Sequence, residues 1–262
     1  MSVLESDARV GKDDKEYMAT LAKGLAVLSA FGEARPTMTL SEAAAAVDLS
    51  RATARRILRT LADLGYVMQD GREFSLAPRI LEVGFRYLST QSWIDRALPL
   101  MKGISESLEE SCSASILQGT EIVYVARVPT HRIMSTVLAV GSRLPAFHTS
   151  MGRIQLGFLN EDDIWRRLRT VKIEARTPST ITDLRALVER VREDRRQGFS
   201  IVDEELERGL RSIAVPLVGR DGRCVAALNV SANSHRTTRN EMRDRYLPAL
   251  SEAARQISRS IA

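Results

Sequence analysis

The sequence predicts an α+β fold: an N-terminal winged helix-turn-helix domain, a linker helix, and a C-terminal mixed α/β domain built on an antiparallel sheet. Three observations carry this. Up to Gly65 the apolar residues recur at helical spacing; after it, two strand-like runs flank Asp70-Gly71; and beyond Ser111 strands and helices follow one another without regular βαβ alternation. A chain of 262 residues is long enough for two modest cores. The expected divisions are a polar tail over 1–15, the winged-helix domain over 16–77, the linker helix over 78–92 and the second domain over 93–262.

In order along the chain, Met18, Leu21, Leu25 and Leu28 recur at helical spacing within 16–31, and Gly32 ends the run. Thr39 or Ser41 can cap a short, alanine-rich helix over 42–47. A third helix opens at Ser50, whose hydroxyl can accept from a free first-turn amide, and closes at Gly65, a residue suited to the left-handed terminal position. Ile57, Leu58, Leu61 and Leu64 share one side of it, while Arg51, Arg55, Arg56 and Arg59 lie elsewhere with no carboxylate between Ser50 and Thr60. An isolated basic helix is more often a solvated face than a binding surface. Here a short helix precedes it and a hairpin follows, with Asp70-Gly71 favouring a type I′ turn. Helix, tight turn, basic helix and wing in that order point to duplex DNA. The candidate DNA contacts are Ser50, Arg51, Thr53, Arg55, Arg56, Arg59 and, on the wing, Arg72.

After Pro78, Leu81, Phe85 and Leu88 form an apolar stripe widened by Ile80, Val83 and Tyr87. A linker helix has little of its own chain to bury such a face, so a second copy is the favoured partner. A two-fold dimer would also match a palindromic operator. Helical spacing resumes over 93–108, with Pro99 restricting its start. Strands are expected over 114–118 and 121–126, joined by Gly119-Thr120, and over 133–140, 199–202, 212–218 and 224–230. Helices are expected over 150–159, 182–197 and 238–261.

Composition excludes several classes. The chain is 44% hydrophobic and 27% charged, the profile of a globular protein, and its net charge of +5 is mild except where it is concentrated around Arg51 to Arg59. No apolar run is long enough to span a bilayer and the start does not resemble a signal peptide, so a cytoplasmic setting is expected. Cys112 and Cys224 form no CxxC, and His131, His148 and His235 are scattered, which argues against a metal site. No nucleophile motif or phosphate loop is present, so no catalytic residue and no cofactor are assigned.

Two stretches of the second half carry candidate chemistry. In 141–153, Ser150 can cap a helix whose free amides suit a carboxylate, and Gly152 allows close approach to the backbone; a plain capped helix is the competing account. In 203–212, clustered acids precede Gly209, and without histidine at ligand spacing they read as exposed loop charge. Ser212, Asn229 and Ser231 are polar positions on apolar strands. Asn229 and Ser231 face the same way, so either side-chain-to-backbone bonding or a small polar ligand must satisfy them.

The winged helix, the linker helix, Gly141-Ser-Arg-Leu-Pro-Ala-Phe-His-Thr-Ser-Met-Gly and Gly198-Phe-Ser-Ile-Val-Asp-Glu-Glu-Leu-Glu-Arg-Gly-Leu-Arg-Ser-Ile-Ala-Val-Pro together resemble an IclR-type transcriptional regulator. The wording is most similar to the branch governing protocatechuate, 4-hydroxybenzoate and β-ketoadipate catabolism. The resemblance implies a GAF-like effector domain and assembly as dimers or pairs of dimers. It also implies a small-acid pocket at Ser150, Met151 and Gly152, lined in addition by Ser212, Asn229 and Ser231. Glyoxylate-responsive members carry an aspartate where this chain has Val202 and a cysteine where it has Ser212, which leaves room for a larger, partly apolar acid.

The resulting expectation is a regulator, not an enzyme, that binds operator DNA and answers to an aromatic or dicarboxylic acid. One alternative is a redox enzyme using Cys112 or Cys224 with autoregulatory DNA binding; another is a constitutive DNA binder with an empty sensor.

Overall fold

The computed structural model describes residues 16–130 and 138–261. The chain divides into two compact units after Thr90. The expected tail over 1–15 lies outside the described residues, as does most of the strand expected over 133–140, of which residues 138–140 are not strand.

In the first unit, α1 (Ala19–Ser29), α2 (Leu40–Ala46) and α3 (Arg51–Asp63) enclose a core with Val27, Phe31, Met38, Ile57, Leu58 and Phe74. Thr39, not Ser41, caps α2, and it does so reciprocally: its Oγ1 accepts from the Glu42 amide while Glu42 Oε2 accepts from the Thr39 amide at 2.7 Å. Ser50 caps α3 by accepting from the Thr53 amide at 3.2 Å. Gly65, at φ +77°, turns the chain away from α3 as expected.

Beyond it β2 (Val67–Asp70) and β3 (Glu73–Leu76) form the wing, and β1 (Thr37–Thr39) adds a third strand beside β3. The expected Asp70-Gly71 turn is displaced by one residue. Burial of both Val67 and Phe74 sets a register in which Asp70 pairs with Glu73, so Gly71 and Arg72 are the loop. Only Gly71 has positive φ (+57°), the pattern of a II′ turn and not of I′. The helix expected over 78–92 is α4 (Ile80–Ser89). Its start is fastened by Arg79, which donates to the Leu64 carbonyl at 2.7 Å and lies over the Tyr66 ring.

The second unit holds α5 (Ser92–Leu108) and a six-stranded antiparallel sheet. Strands β4 (Ser111–Gln118), β5 (Glu121–Val128) and β6 (Arg143–Pro145) form one meander, and β7 (Ser200–Asp203), β8 (Leu210–Val218) and β9 (Cys224–Asn233) the other. The two join through β4 and β9, giving the order β6-β5-β4-β9-β8-β7. Between the meanders lie α6 (Ser150–Leu156), α7 (Glu161–Arg169) and α8 (Leu184–Gln197). Helix α7 was not anticipated. It is nine residues long and strongly charged, and buries only Ile164 and Leu168, too few to stand out as a periodic run. The expected 238–261 helix is broken into α9 (Arg239–Glu241), a wide π-turn (Met242–Tyr246) and α10 (Leu247–Ser258).

Strand alternation gives the sheet two different faces. Cys112, Ala114, Leu228, Val230, Ile213 and Val215 alternate with Ser111, Ser113, Asn229, Ser231, Ser212 and Ala214. The second set faces α6 and α8: Ala214 and Ala227 pack with Met151, Ile154 and Val191, and Gln155 donates to Ser115. A hydroxyl-rich strip therefore lies in the middle of a buried sheet face, which is where the site forms.

Candidate functional site

Two regions concentrate polar groups, one in each unit. In the first unit a groove of about 660 Å³ runs between α3 and the wing, lined by Arg51, Arg55, Arg59 and Arg72. The three helix arginines are one turn apart, and all four are exposed. Gln69 donates to the Gly71 carbonyl at 2.9 Å and braces the wing tip that carries Arg72. Thr53 and Arg56 do not share this groove. They lie on the flank of α3 that meets α1, beside Met18, Leu21 and Leu28. The candidate contacts on α3 are therefore divided between two flanks. Thr53 is also occupied in the cap, its hydroxyl 2.9 Å from Ser50 Oγ. Four guanidinium groups on two walls suit a phosphate backbone passing between helix and wing.

In the second unit a cavity of about 270 Å³ lies against the hydroxyl-rich strip of the sheet. Its floor has Ser212, Ser231 and Ser111 side by side across β8, β9 and β4, with Asn229 one step along. Arg127 closes the β5 end, donating to Ser113 Oγ at 3.1 Å and Ser111 Oγ at 3.5 Å. Tyr124, Leu144, Val202 and Leu210 supply apolar wall, and His148, Thr149 and Arg176 further polar lining. Asn229 donates to Ser231 Oγ at 3.1 Å, so part of its need is met internally, but its Oδ1 has no partner among the described residues. His148 bonds the Glu174 backbone and leaves its Nδ1 equally unmatched. Orphaned buried polar atoms are costly unless something enters to pair with them.

The electrostatics favour an acid. Burial, then the Arg153 and Arg176 guanidinium groups, push the His148 pKa down to about 4, so the ring is neutral near pH 7. Burial pushes Tyr124 up to about 12 against the pull of Arg127, keeping its phenol protonated. The Arg127 and Arg176 guanidinium groups thus share a partly apolar space with neutral, hydrogen-bonding neighbours and one carboxylate, Glu207.

Three of the expected effector residues are placed elsewhere. Thr149, not Ser150, caps α6, its Oγ1 accepting from the Gly152 amide at 3.1 Å, because Thr149 is the residue with extended backbone. Ser150 is the first helical residue, fully buried, with a hydroxyl that has no partner among the described residues. Met151 belongs to the apolar core under the sheet. Gly152 is small to admit the backbone of Ala146, against which any Cβ would collide, and not to admit a ligand. None of the three lies on the cavity wall, whereas Ser212, Asn229 and Ser231 do. The wall residues missed from sequence include Ser111, Tyr124, Arg127, His148 and Arg176. Ser111 and Ser113 carry the same alternating polar signal as Asn229 and Ser231, and could have been found by it.

Glu205, expected on an exposed acidic loop, is buried and forms a two-pronged pair with Arg153. Two more of the acids there are also engaged: Asp203 accepts from Arg211 at 2.7 Å and Glu204 from Ser234. The redox alternative finds no support. Burial raises the Cys112 thiol far out of the reactive range and that of Cys224 to about 12, and Cys112 points to the sheet face away from the cavity. Among the described residues no cluster of His, Cys, Asp or Glu could hold a metal ion, and no helix is long and apolar enough to cross a membrane.

Comparison with known proteins agrees with both halves. Residues 20–71 match the IclR helix-turn-helix domain and residues 85–259 the bacterial transcriptional regulator IclR C-terminal domain. The Pca regulon regulatory protein of Pseudomonas putida is 42% identical over 245 residues, covering 93% of this chain and 84% of the relative. The p-hydroxybenzoate hydroxylase transcriptional activator of Acinetobacter baylyi is 33% identical over 248 residues, covering 93% and 92%. A transcriptional regulator from Rhodococcus sp. RHA1 superposes with a TM-score of 0.82 at 42% identity, over 94% of this chain and 98% of that one.

Proposed function

This chain belongs to the IclR family of bacterial transcriptional regulators, and on that premise we propose that it regulates genes of aromatic-compound catabolism in response to a small organic acid held in the cavity of its second unit. The observation that supports this reading above others is the pairing of unmatched buried polar atoms (Asn229 Oδ1 and His148 Nδ1) with the Arg127 and Arg176 guanidinium groups around one partly apolar space. A carboxylate suits the guanidinium end, and a hydroxyl or keto-bearing carbon frame suits the rest. Ser212, Asn229 and Ser231 are the polar contacts in this reading, with Ser111 and Tyr124 beside them. Arg51, Arg55, Arg59 and Arg72 grip the duplex, Ser50 orders the start of the recognition helix, and Thr53 and Arg56 face the other flank. The relatives named above are regulators of the Pca regulon and of p-hydroxybenzoate hydroxylase, which supports assigning this chain's targets to the same chemistry. In this reading it acts by binding, and no catalytic role is assigned to any of the described residues.

The test is a gel-shift titration on the promoter DNA beside the chain's own gene at several salt concentrations, with and without 4-hydroxybenzoate, 3,4-dihydroxybenzoate and β-ketoadipate. A salt-dependent shift altered by at least one acid is expected. An acid changes occupancy only if it binds the DNA-bound and free forms unequally. A shift that no acid alters, together with no acid-induced rise in melting temperature, removes the sensor half of the reading.

A further inference from the structure

Arg153 lies outside the cavity, yet it ties two of its walls together. It is fully buried, donates from Nε to the Phe147 carbonyl at 2.9 Å and from Nη1 to Glu205 Oε1 at 2.8 Å, and pairs Nη2 with Glu205 Oε2. Phe147 leads directly into His148 and Thr149; Glu205 leads directly into Leu206 and Glu207; all four face the cavity. The wall bearing Arg176 is fastened to the same place, because Thr177 Oγ1 donates to the Glu204 carbonyl at 2.5 Å and Thr180 Oγ1 to the Glu205 carbonyl at 2.7 Å. Glu204 itself is held at φ +57°, a conformation that a glutamate rarely adopts, with its amide on the Leu210 carbonyl at 2.8 Å.

Fold stability does not account for this arrangement. A buried ion pair replaced by apolar residues of similar volume commonly leaves stability unchanged or improved, since the desolvation cost disappears with the pair. What the fork-to-fork pair supplies and an apolar contact does not is a fixed direction and separation. We propose that the Arg153–Glu205 pair is a positioning device for effector binding, holding the 146–149 turn and the 204–210 loop at the separation an acid ligand requires. This rests on the cavity being the effector site, as proposed above.

The test uses the full chain and the double variant Arg153→Met/Glu205→Leu, with 4-hydroxybenzoate, 3,4-dihydroxybenzoate and β-ketoadipate titrated calorimetrically. The expected result is a melting temperature at or above that of the wild type, unchanged affinity for a random-sequence duplex at low salt, faster amide exchange over 204–210, and a Kd at least tenfold weaker for every acid the wild type binds. A folded double variant with wild-type Kd and wild-type exchange overturns the proposal while leaving the effector cavity intact. No heat from any acid with the wild type overturns the cavity reading and this one with it. Should the double variant fail to fold, Arg153→Lys, which keeps the charge and loses the fork, is expected to weaken binding several-fold; wild-type affinity in that variant overturns the proposal equally.

Discussion

Arg55 and Arg56 are neighbours in sequence with the same chemistry, and the helix sends them to different flanks. Arg55 shares the groove with Arg72 on the wing, while Arg56 faces α1. If Arg55 reads a base edge from that groove, Arg55→Ala weakens operator binding by roughly 1–3 kcal/mol. A double-mutant cycle should find Arg55 and Arg72 coupled, and Arg56 and Arg72 additive, because only the first pair shares a ligand. Filter binding at fixed salt measures both; equal coupling in the two cycles would place the duplex elsewhere on α3. A second prediction at this scale concerns His148. Its pKa of about 4 lies below the ordinary 6.5, so the folded state holds the proton less firmly than the unfolded chain. Its contribution to stability is whole above about pH 6.5 and declines as the pH falls toward 4. Asp194 acts in the opposite sense, since burial raises its pKa from 3.8 to about 6 and acidification through that range favours the folded state. His148→Gln removes the first term alone. Relative to wild type, its unfolding free energy should rise between pH 7 and pH 4.5 by roughly 1–3 kcal/mol in urea melts; parallel curves would show that His148 takes up its proton as readily in the fold as in the unfolded chain.

At the scale of elements, the 146–156 segment shows how a motif can be read correctly and assigned the wrong job. Gly152 is required by the approach of Ala146, whose Cα and carbonyl occupy the space a Cβ would need, and the 3₁₀ turn Ala146–His148 is seated on α6 by that contact. Gly152→Ala is expected to cost about 1–3 kcal/mol through displaced backbone and to lower acid affinity, because His148 and Thr149 move with the turn. Thermal melts and calorimetry on the same sample check it. The sequence announced a glycine with a purpose; only the fold says that the close neighbour is the chain's own backbone. The same division runs through other elements. Local chemistry made α3, its Ser50 cap and the turn at Gly65 legible, and alternation made most strands legible. The wing turn was misplaced by one residue because register comes from burial of Val67 and Phe74, which is a tertiary fact. Asn229 and Ser231 were legible as polar positions on an apolar strand. Arg127 and Arg176 were not, since an exposed or half-buried arginine carries no sign of which cavity it borders. Glu205 looked like solvated loop charge until Arg153, 52 residues away, closed on it.

For the molecule as a whole, the unfinished surface is α4. Leu81 and Phe85 are each 70% exposed, and Val83 and Tyr87 are about half exposed, with no residue of the helix fully buried. An exposed apolar stripe of this kind marks an interaction face, and the occupant we propose for it is the same helix of a second copy. Two-fold pairing would bury Leu81 and Phe85 twice. At about 1.5–3 kcal/mol per large side chain, that is roughly 6–12 kcal/mol of gross gain, set against an association cost of about 4–15 kcal/mol. These two positions therefore decide whether a dimer is populated at all. Leu81→Glu/Phe85→Glu should raise the dimer dissociation constant by at least a hundredfold in sedimentation equilibrium. Removing the stripe leaves each winged helix intact, so binding to a single half-site duplex should be unchanged while binding to the full palindrome loses its advantage, since two linked half-sites gain from effective concentration only when the proteins are joined. A double variant that stays dimeric would assign the interface to another face and leave α4 with an exposed stripe that pairing between copies does not explain.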